Sequence, residues 1–177
     1  MELNDQSPTS REERFVKEVL QQIQGDKGLS ARLRRADNPD TEYQSWELLA
    51  RYGINLEWES QRLPYTTVVA ALARTKEDAN GTLPLGQALM YCFEDGRESG
   101  PAKARLRRLL ACQDLAEVTR ILRGTLSLIE SKVNQPLDYI RLLQQLNHFH
   151  FDAQKVKAQW AQEFYRKSKD DLVKEDA

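Results

Sequence analysis

The sequence predicts an all-α fold, a two-lobed helical bundle of about eight or nine helices. Three observations carry that expectation. Apolar residues recur every third or fourth position along most of the chain. No segment alternates with the period of two that a half-buried strand requires. The breaks between apolar stretches coincide with capping residues, glycines and prolines. At 177 residues, 40% of them hydrophobic and 30% charged, the chain fits one domain, or two small lobes sharing a core.

Ser10 and Glu13 form a capping-box signature, and Phe15, Val16, Val19, Leu20 and Ile23 follow at helical spacing until Gly25 ends the run. A short helix fits Ser30 to Ala36, broken near Asn38-Pro39. Tyr43, Trp46, Leu49 and Ala50 suggest a helix from about Asp40, with Gly53 as its stop and the two aromatics at core spacing. Pro64 suits a first helical turn and leads into Val68, Val69, Leu72 and Ala73. The stretch KEDANGT (76–82) reads as a polar loop between two candidate lobes, 10–76 and 84–167, of one elongated helical domain. A flexible N-terminus (1–9) and a polar C-terminal tail (168–177) frame that domain.

Pro84 opens a helix through Leu85, Leu89 and Phe93. Gly100-Pro101 starts one with Leu106, Leu109 and Leu110 inward. Asp114 with Glu117 caps the next, whose stripe is Leu115, Val118, Ile121, Leu122 and Leu126. Pro136 starts another, with Ile140, Leu143 and Leu146 a turn apart. Asp152 caps the last, where Val156, Trp160 and Phe164 fall every fourth residue. No fixed-period repeat is present, which argues against a solenoid.

Several function classes find no support. No apolar run approaches the roughly 20 residues of a membrane-spanning helix. The N-terminal MELNDQSPTS lacks the plan of a signal peptide, so a cytoplasmic location is expected. Cys92 and Cys112, in apolar surroundings, read as reduced, buried thiols. There is no glycine-rich phosphate loop and no Gly-x-Ser-x-Gly elbow. His148 and His150 have no cysteine partners at metal spacing and read as surface or packing residues. Most carboxylates fall at caps or in polar loops. Neither catalysis, nor a metal, nor a cofactor is expected.

Charge is the informative feature. The net charge is only −1, yet Lys103, Arg105, Arg107, Arg108, Arg120 and Arg123 face only Asp114 and Glu117 over 103–123. Lys27, Arg32, Arg34 and Arg35 form a second basic stretch without an acid inside it. The next segment, 37–59, holds Asp37, Asp40, Glu42, Glu47, Glu57 and Glu59 against Arg51 alone. Arginine's planar fork of donors suits phosphate oxygens. On helices, Arg105 and Arg108 share one stripe, as do Arg120 and Arg123, while the leucines point elsewhere. The two helices are thus expected to pack through leucines with their arginines facing out together. Local salt bridges, Glu117 to Arg120 and Glu98 to its neighbours, are the plainer explanation, but the acids are too few to neutralise six cations. Aromatic residues barely interleave with these arginines, which favours phosphate contact over base stacking.

Five stretches, in order, carry a resemblance: ARLRRADNP (Ala31 to Pro39), WESQR (Trp58 to Arg62), LPLGQAL (Leu83 to Leu89), the helices with Arg105 and Arg123, and LDYIRLLQQLNHF (Leu137 to Phe149). Over roughly Leu29 to Tyr165 the chain resembles the CasB small-subunit family of the type I-E CRISPR Cascade surveillance complex. The resemblance implies a non-catalytic subunit of two helical lobes, present in two copies beside the CRISPR RNA backbone subunits, with backbone and large subunits as neighbours. It also implies contact with CRISPR RNA, target DNA and the displaced DNA strand that holds an R-loop open. R-loop formation is a near-balanced exchange, so modest backbone contacts tip it. The resemblance carries over Arg34, Arg35, Arg62, Arg105 and Arg123. Charge geometry adds Lys103, Arg107, Arg108 and Arg120. Where family members show a basic pair after the last quoted helix, this chain has Phe151-Asp152, and Lys155 and Lys157 are the nearest cations. A helical adaptor whose basic face docks an acidic protein is the alternative.

Overall fold

The computed structural model describes residues 9–167, so the expected N-terminal segment, Thr9 apart, and the tail at 168–177 lie outside the described residues. Nine α-helices are found there: α1 (Arg11–Gly25), α2 (Lys27–Arg35), α3 (Trp46–Arg51), α4 (Glu59–Arg74), α5 (Leu85–Tyr91), α6 (Gly100–Ala111), α7 (Leu115–Lys132), α8 (Tyr139–Phe149) and α9 (Ala153–Tyr165). Two 3-10 segments, Pro39–Ser45 and Gly96–Glu98, join them. The architecture is the expected all-α bundle. Among the described residues the isolated pairing of Leu83 with Leu137 is the one β-type contact.

Short side chains set the helix starts by accepting otherwise orphaned N–H groups. The Glu13 N–H donates to Ser10 Oγ (3.1 Å), the Glu117 N–H to Asp114 Oδ1 (2.8 Å) and the Lys155 N–H to Asp152 Oδ1 (3.0 Å), as the sequence suggests. Three boundaries differ from expectation. Helix α2 starts at Lys27 rather than Ser30, because Asp26 closes α1 and takes the Leu29 N–H (2.9 Å). Pro64 lies inside α4, which begins at Glu59. Helix α8 starts at Tyr139, beyond Pro136, because Asp138 accepts from Arg141 N–H (3.0 Å) and Asn80 Oδ1 from Tyr139 and Ile140 N–H (2.8 and 3.2 Å). The chain from Asp40 is not one helix. It runs as a 3-10 segment, capped by Asn38, before turning α-helical at Trp46. Gly53 follows with φ +68°, the left-handed region that glycine occupies at no steric cost.

Helix α4 is the centre. Every residue from Leu63 to Ala73 is buried, and α1, α2, α7 and α8 all pack on it. The polar loop at 76–82 separates the two candidate lobes in sequence, yet one hydrophobic core runs through both. At the other end α5 crosses α9 closely. A Cβ on Gly86 would lie 2.3 Å from the Trp160 carbonyl oxygen and 2.8 Å from the Phe164 nitrogen. Trp160, fully buried, donates its indole N–H to Gln145 Oε1 (2.8 Å).

The two glycines of α5 and α7 should therefore respond oppositely in urea unfolding. Gly86→Ala forces α5 and α9 apart and costs about 1–3 kcal/mol or more. Gly124→Ala, where an added methyl meets nothing within 4 Å, stabilises by roughly 0.5–1 kcal/mol.

Candidate nucleic-acid interface

The expected basic residues fall into two physical states. Arg62 and Arg123 are held by Glu42. Arg62 Nε donates to Glu42 Oε1 (2.7 Å), its Nη1 to the Leu56 carbonyl (2.5 Å), and its Nη2 lies 3.8 Å from Glu59 Oε1. Arg123 Nη2 reaches the other Glu42 oxygen at 3.5 Å, and its Nε is buried without an acceptor. Arg123 is only 9% exposed. The expectation that the arginines of α6 and α7 face out together is corrected here. Arg107, Arg108 and Arg120 are exposed, Arg105 is half-buried, and Arg123 turns inward because the face carrying Thr119, Leu122 and Leu126 lies against α4.

Arg107, Arg108 and Arg120 make no ion pair among the described residues. Glu117 does not neutralise Arg120; its carboxylate accepts the Gln113 N–H (2.9 Å) instead. Glu98 does reach a neighbour, pairing with Lys103 at 3.0 Å. Arg34 and Arg35 are exposed in the last turn of α2, where a cation also favours the negative helix end. Arg34 Nη2 donates to Ser30 Oγ (3.3 Å). Lys155 is exposed beside Arg141 and His148, and Lys157 lies 5.9 Å over the Phe149 ring.

Between the 3-10 segment, α4 and α7 lies an open cleft of about 540 Å³. Arg62 and Arg123 line its floor and Arg120 its rim. Tyr43 and Trp46 line it as well, 59% and 39% exposed, although their spacing reads as core. The buried stripe in this segment is Glu42, Ser45, Leu48 and Leu49, so two polar residues occupy the register that hydrophobicity alone assigns to the aromatics. The buried ion pair is the signal that apolar periodicity does not contain. Among the described residues no group of three or more His, Cys, Asp or Glu side chains is disposed to hold a metal ion. No helix among them is long and apolar enough to cross a membrane.

Residues 30–165 match the family of CRISPR-associated protein Cse2. The chain belongs to the Cse2 family. The matched region begins in α2 and ends with α9, so it takes in the basic residues of the candidate interface from Arg34 to Lys157. The crystal structure of CasB from M. ruber superposes with a TM-score of 0.70 at 24% identity, covering 95% of this chain and 97% of that one. A chain of a CRISPR RNA-guided surveillance complex gives 0.71 at 22% identity, covering 94% and 98%. CasB from Thermus thermophilus gives 0.66 at 25% identity, covering 88% and 98%. No curated protein matches the sequence.

The geometry of this Cse2 chain separates scaffold arginines from surface ones. Glu42→Ala leaves Arg62 and Arg123 without their shared counter-charge and should cost about 3 kcal/mol in urea unfolding. Arg120→Ala, at an exposed site without an ion-pair partner, should stay within roughly 0.5 kcal/mol of the parent.

Burial pushes the Cys92 thiol up to about 11, against the smaller opposing pull of Arg105 and Lys132. A raised value means less thiolate at every pH below it, about one part in a thousand at pH 8. Cys92 should therefore resist a thiol reagent at pH 8 in the native protein and react once the chain is unfolded. Rapid native labelling would contradict its burial.

Proposed function

We propose that this Cse2 chain is a non-catalytic small subunit of a type I-E Cascade, an RNA-guided DNA surveillance complex of antiviral defence. In this reading it stabilises the R-loop by contacting nucleic-acid backbone without reading sequence. The carrying observation is the set of exposed arginines, Arg107, Arg108 and Arg120, with no ion-pair partner among the described residues of a chain whose net charge is only −1. Guanidinium groups left unneutralised at a surface release counterions when they meet phosphates, which gives affinity without base specificity. Family membership supports the assignment, as does the fold likeness to a chain of an RNA-guided surveillance complex.

The contacts fall to Arg107, Arg108 and Arg120 on one side and to Arg34 and Arg35 on α2. Arg105, Lys155 and Lys157 extend the field. Lys103 is already partly neutralised by Glu98. Arg62 and Arg123 contribute mainly by fixing the cleft from which Arg120 projects. The strands are the target and displaced DNA and the CRISPR RNA. The protein neighbours are the backbone and large subunits and a second copy of the chain, in the cytoplasm.

The test is a salt titration of target binding by the reconstituted complex. An R107E/R108E/R120E variant should lower affinity and flatten the slope of log K against log salt by about one unit for each phosphate no longer neutralised. Arg123 stays unchanged, since its reversal would set two carboxylates together beside Arg62. Intact assembly with unchanged affinity and slope would remove these residues from the interface. Failure to assemble would instead assign them to an acidic protein partner.

A further inference from the structure

The cleft between the 3-10 segment, α4 and α7 has features that backbone contact alone does not use. Tyr43 and Trp46 are large aromatics, three residues apart, and both stand exposed along its lining. Neither stacks on another ring among the described residues. Isolated exposed aromatics are common, but two on the same concave wall as an arginine rim form a recognisable arrangement. The cleft volume, about 540 Å³, is in the range of small-ligand sites.

Charge narrows the occupant. Arg62, Arg120 and Arg123 are balanced by Asp40, Glu42 and Glu59 on the same lining. A run of phosphates entering the cleft would meet three carboxylates, and an acidic peptide would meet the same repulsion. The floor suits a neutral planar group that carries hydrogen-bonding edges. Arg123 lines that floor nine-tenths buried, with its Nε enclosed beneath the surface and without an acceptor. Arg120 at the rim is exposed and without an ion-pair partner among the described residues, placed for one anion just outside.

We infer that this cleft takes a single unstacked nucleobase, held against Trp46 and Tyr43, with its own phosphate on Arg120. The inference rests on the nucleic-acid reading above and deepens it. It selects single-stranded nucleic acid, because a base inside a duplex presents no free face. Aromatic stacking is tolerant of sequence, so the site adds strand-type preference without base readout.

The experiment measures binding of the full chain at low salt to a short oligothymidylate and to an abasic oligonucleotide with the same number of phosphates. The base-bearing strand should bind about tenfold more tightly. Y43A/W46A should erase that difference while leaving abasic binding and helicity unchanged, W46F should keep most of it, and R120E should weaken both strands. Equal affinity for the two strands in the parent chain, or a preference that survives Y43A/W46A, overturns the base site and leaves backbone contact standing. Binding of neither strand overturns the nucleic-acid reading and the base site with it.

Discussion

Helix α4 has no solvent face between Leu63 and Ala73, and the rest of the fold is arranged to satisfy that requirement. A helix apolar on all sides cannot lie on a two-layer packing; it needs neighbours around its whole circumference. Helices α1, α2, α7 and α8 supply them. The residues that bound the buried stretch are both arginines. Arg62 precedes it and Arg74 follows it. Each guanidinium meets acids brought by other elements: Arg62 meets Glu42, while Arg74 meets Asp37 at 2.6 Å and Glu130 at 2.9 Å. Each also binds α4 to α7, one through Arg123 across Glu42 and the other through Glu130 directly. Burial pushes the Glu130 carboxyl up against the opposing pull of Arg74, so desolvation outweighs attraction there. Such pairs add little net stability, but losing one partner is expensive, and they fix the 36–45 segment in one position against α7.

That fixed segment builds the candidate interface. The cleft exists because the chain at 39–45 is held as a 3-10 turn with Glu42 and Ser45 inward, which forces Tyr43 and Trp46 outward. Scaffold and surface are thus made from one residue type in two environments. Arginines that meet a buried carboxylate organise the fold. Arginines that meet only water keep their charge available for a partner. Residue type does not distinguish them; burial does.

Much of the fold is legible in the sequence because caps and apolar periodicity act over a few residues. Ser10, Asp114 and Asp152 each cap the helix their position suggests. The helix starts that differ have specific causes. Asp26 serves two helices at once, and Asn80 caps α8 from 59 residues away, a partnership no local window contains. Pro64 sits inside α4 although its position suits a helix start. The site is legible as charge but not as shape. Arg107, Arg108 and Arg120 are exposed as expected, whereas the inward turn of Arg123 depends on Glu42, 81 residues distant. The exposure of Tyr43 and Trp46 is hidden from the sequence for the same reason: a long-range ion pair, not hydrophobicity, sets the register at 42–49.

The acidic segment at 37–59 completes the account of charge. Read linearly, it is a counter-surface that a basic face on another copy could dock against. In the fold, Asp37 faces Arg74, Glu42 holds Arg62 and Arg123, Glu47 pairs with Arg51, and Glu59 lies near Arg62. Most of its negative charge therefore answers cations within the same chain, leaving Asp40 and Glu57 as its exposed acids without an ion-pair partner among the described residues. Arg107 and Arg108 on α6 and Arg120 on α7 have no ion-pair partner among the described residues and keep an exposed positive charge. Salt screens exposed charges over roughly 8–10 Å, so this local excess, and not the near-zero total, sets the potential just outside that surface. A nearly neutral chain can therefore present a polyanion-binding surface, provided that its acids are turned inward against its scaffold arginines.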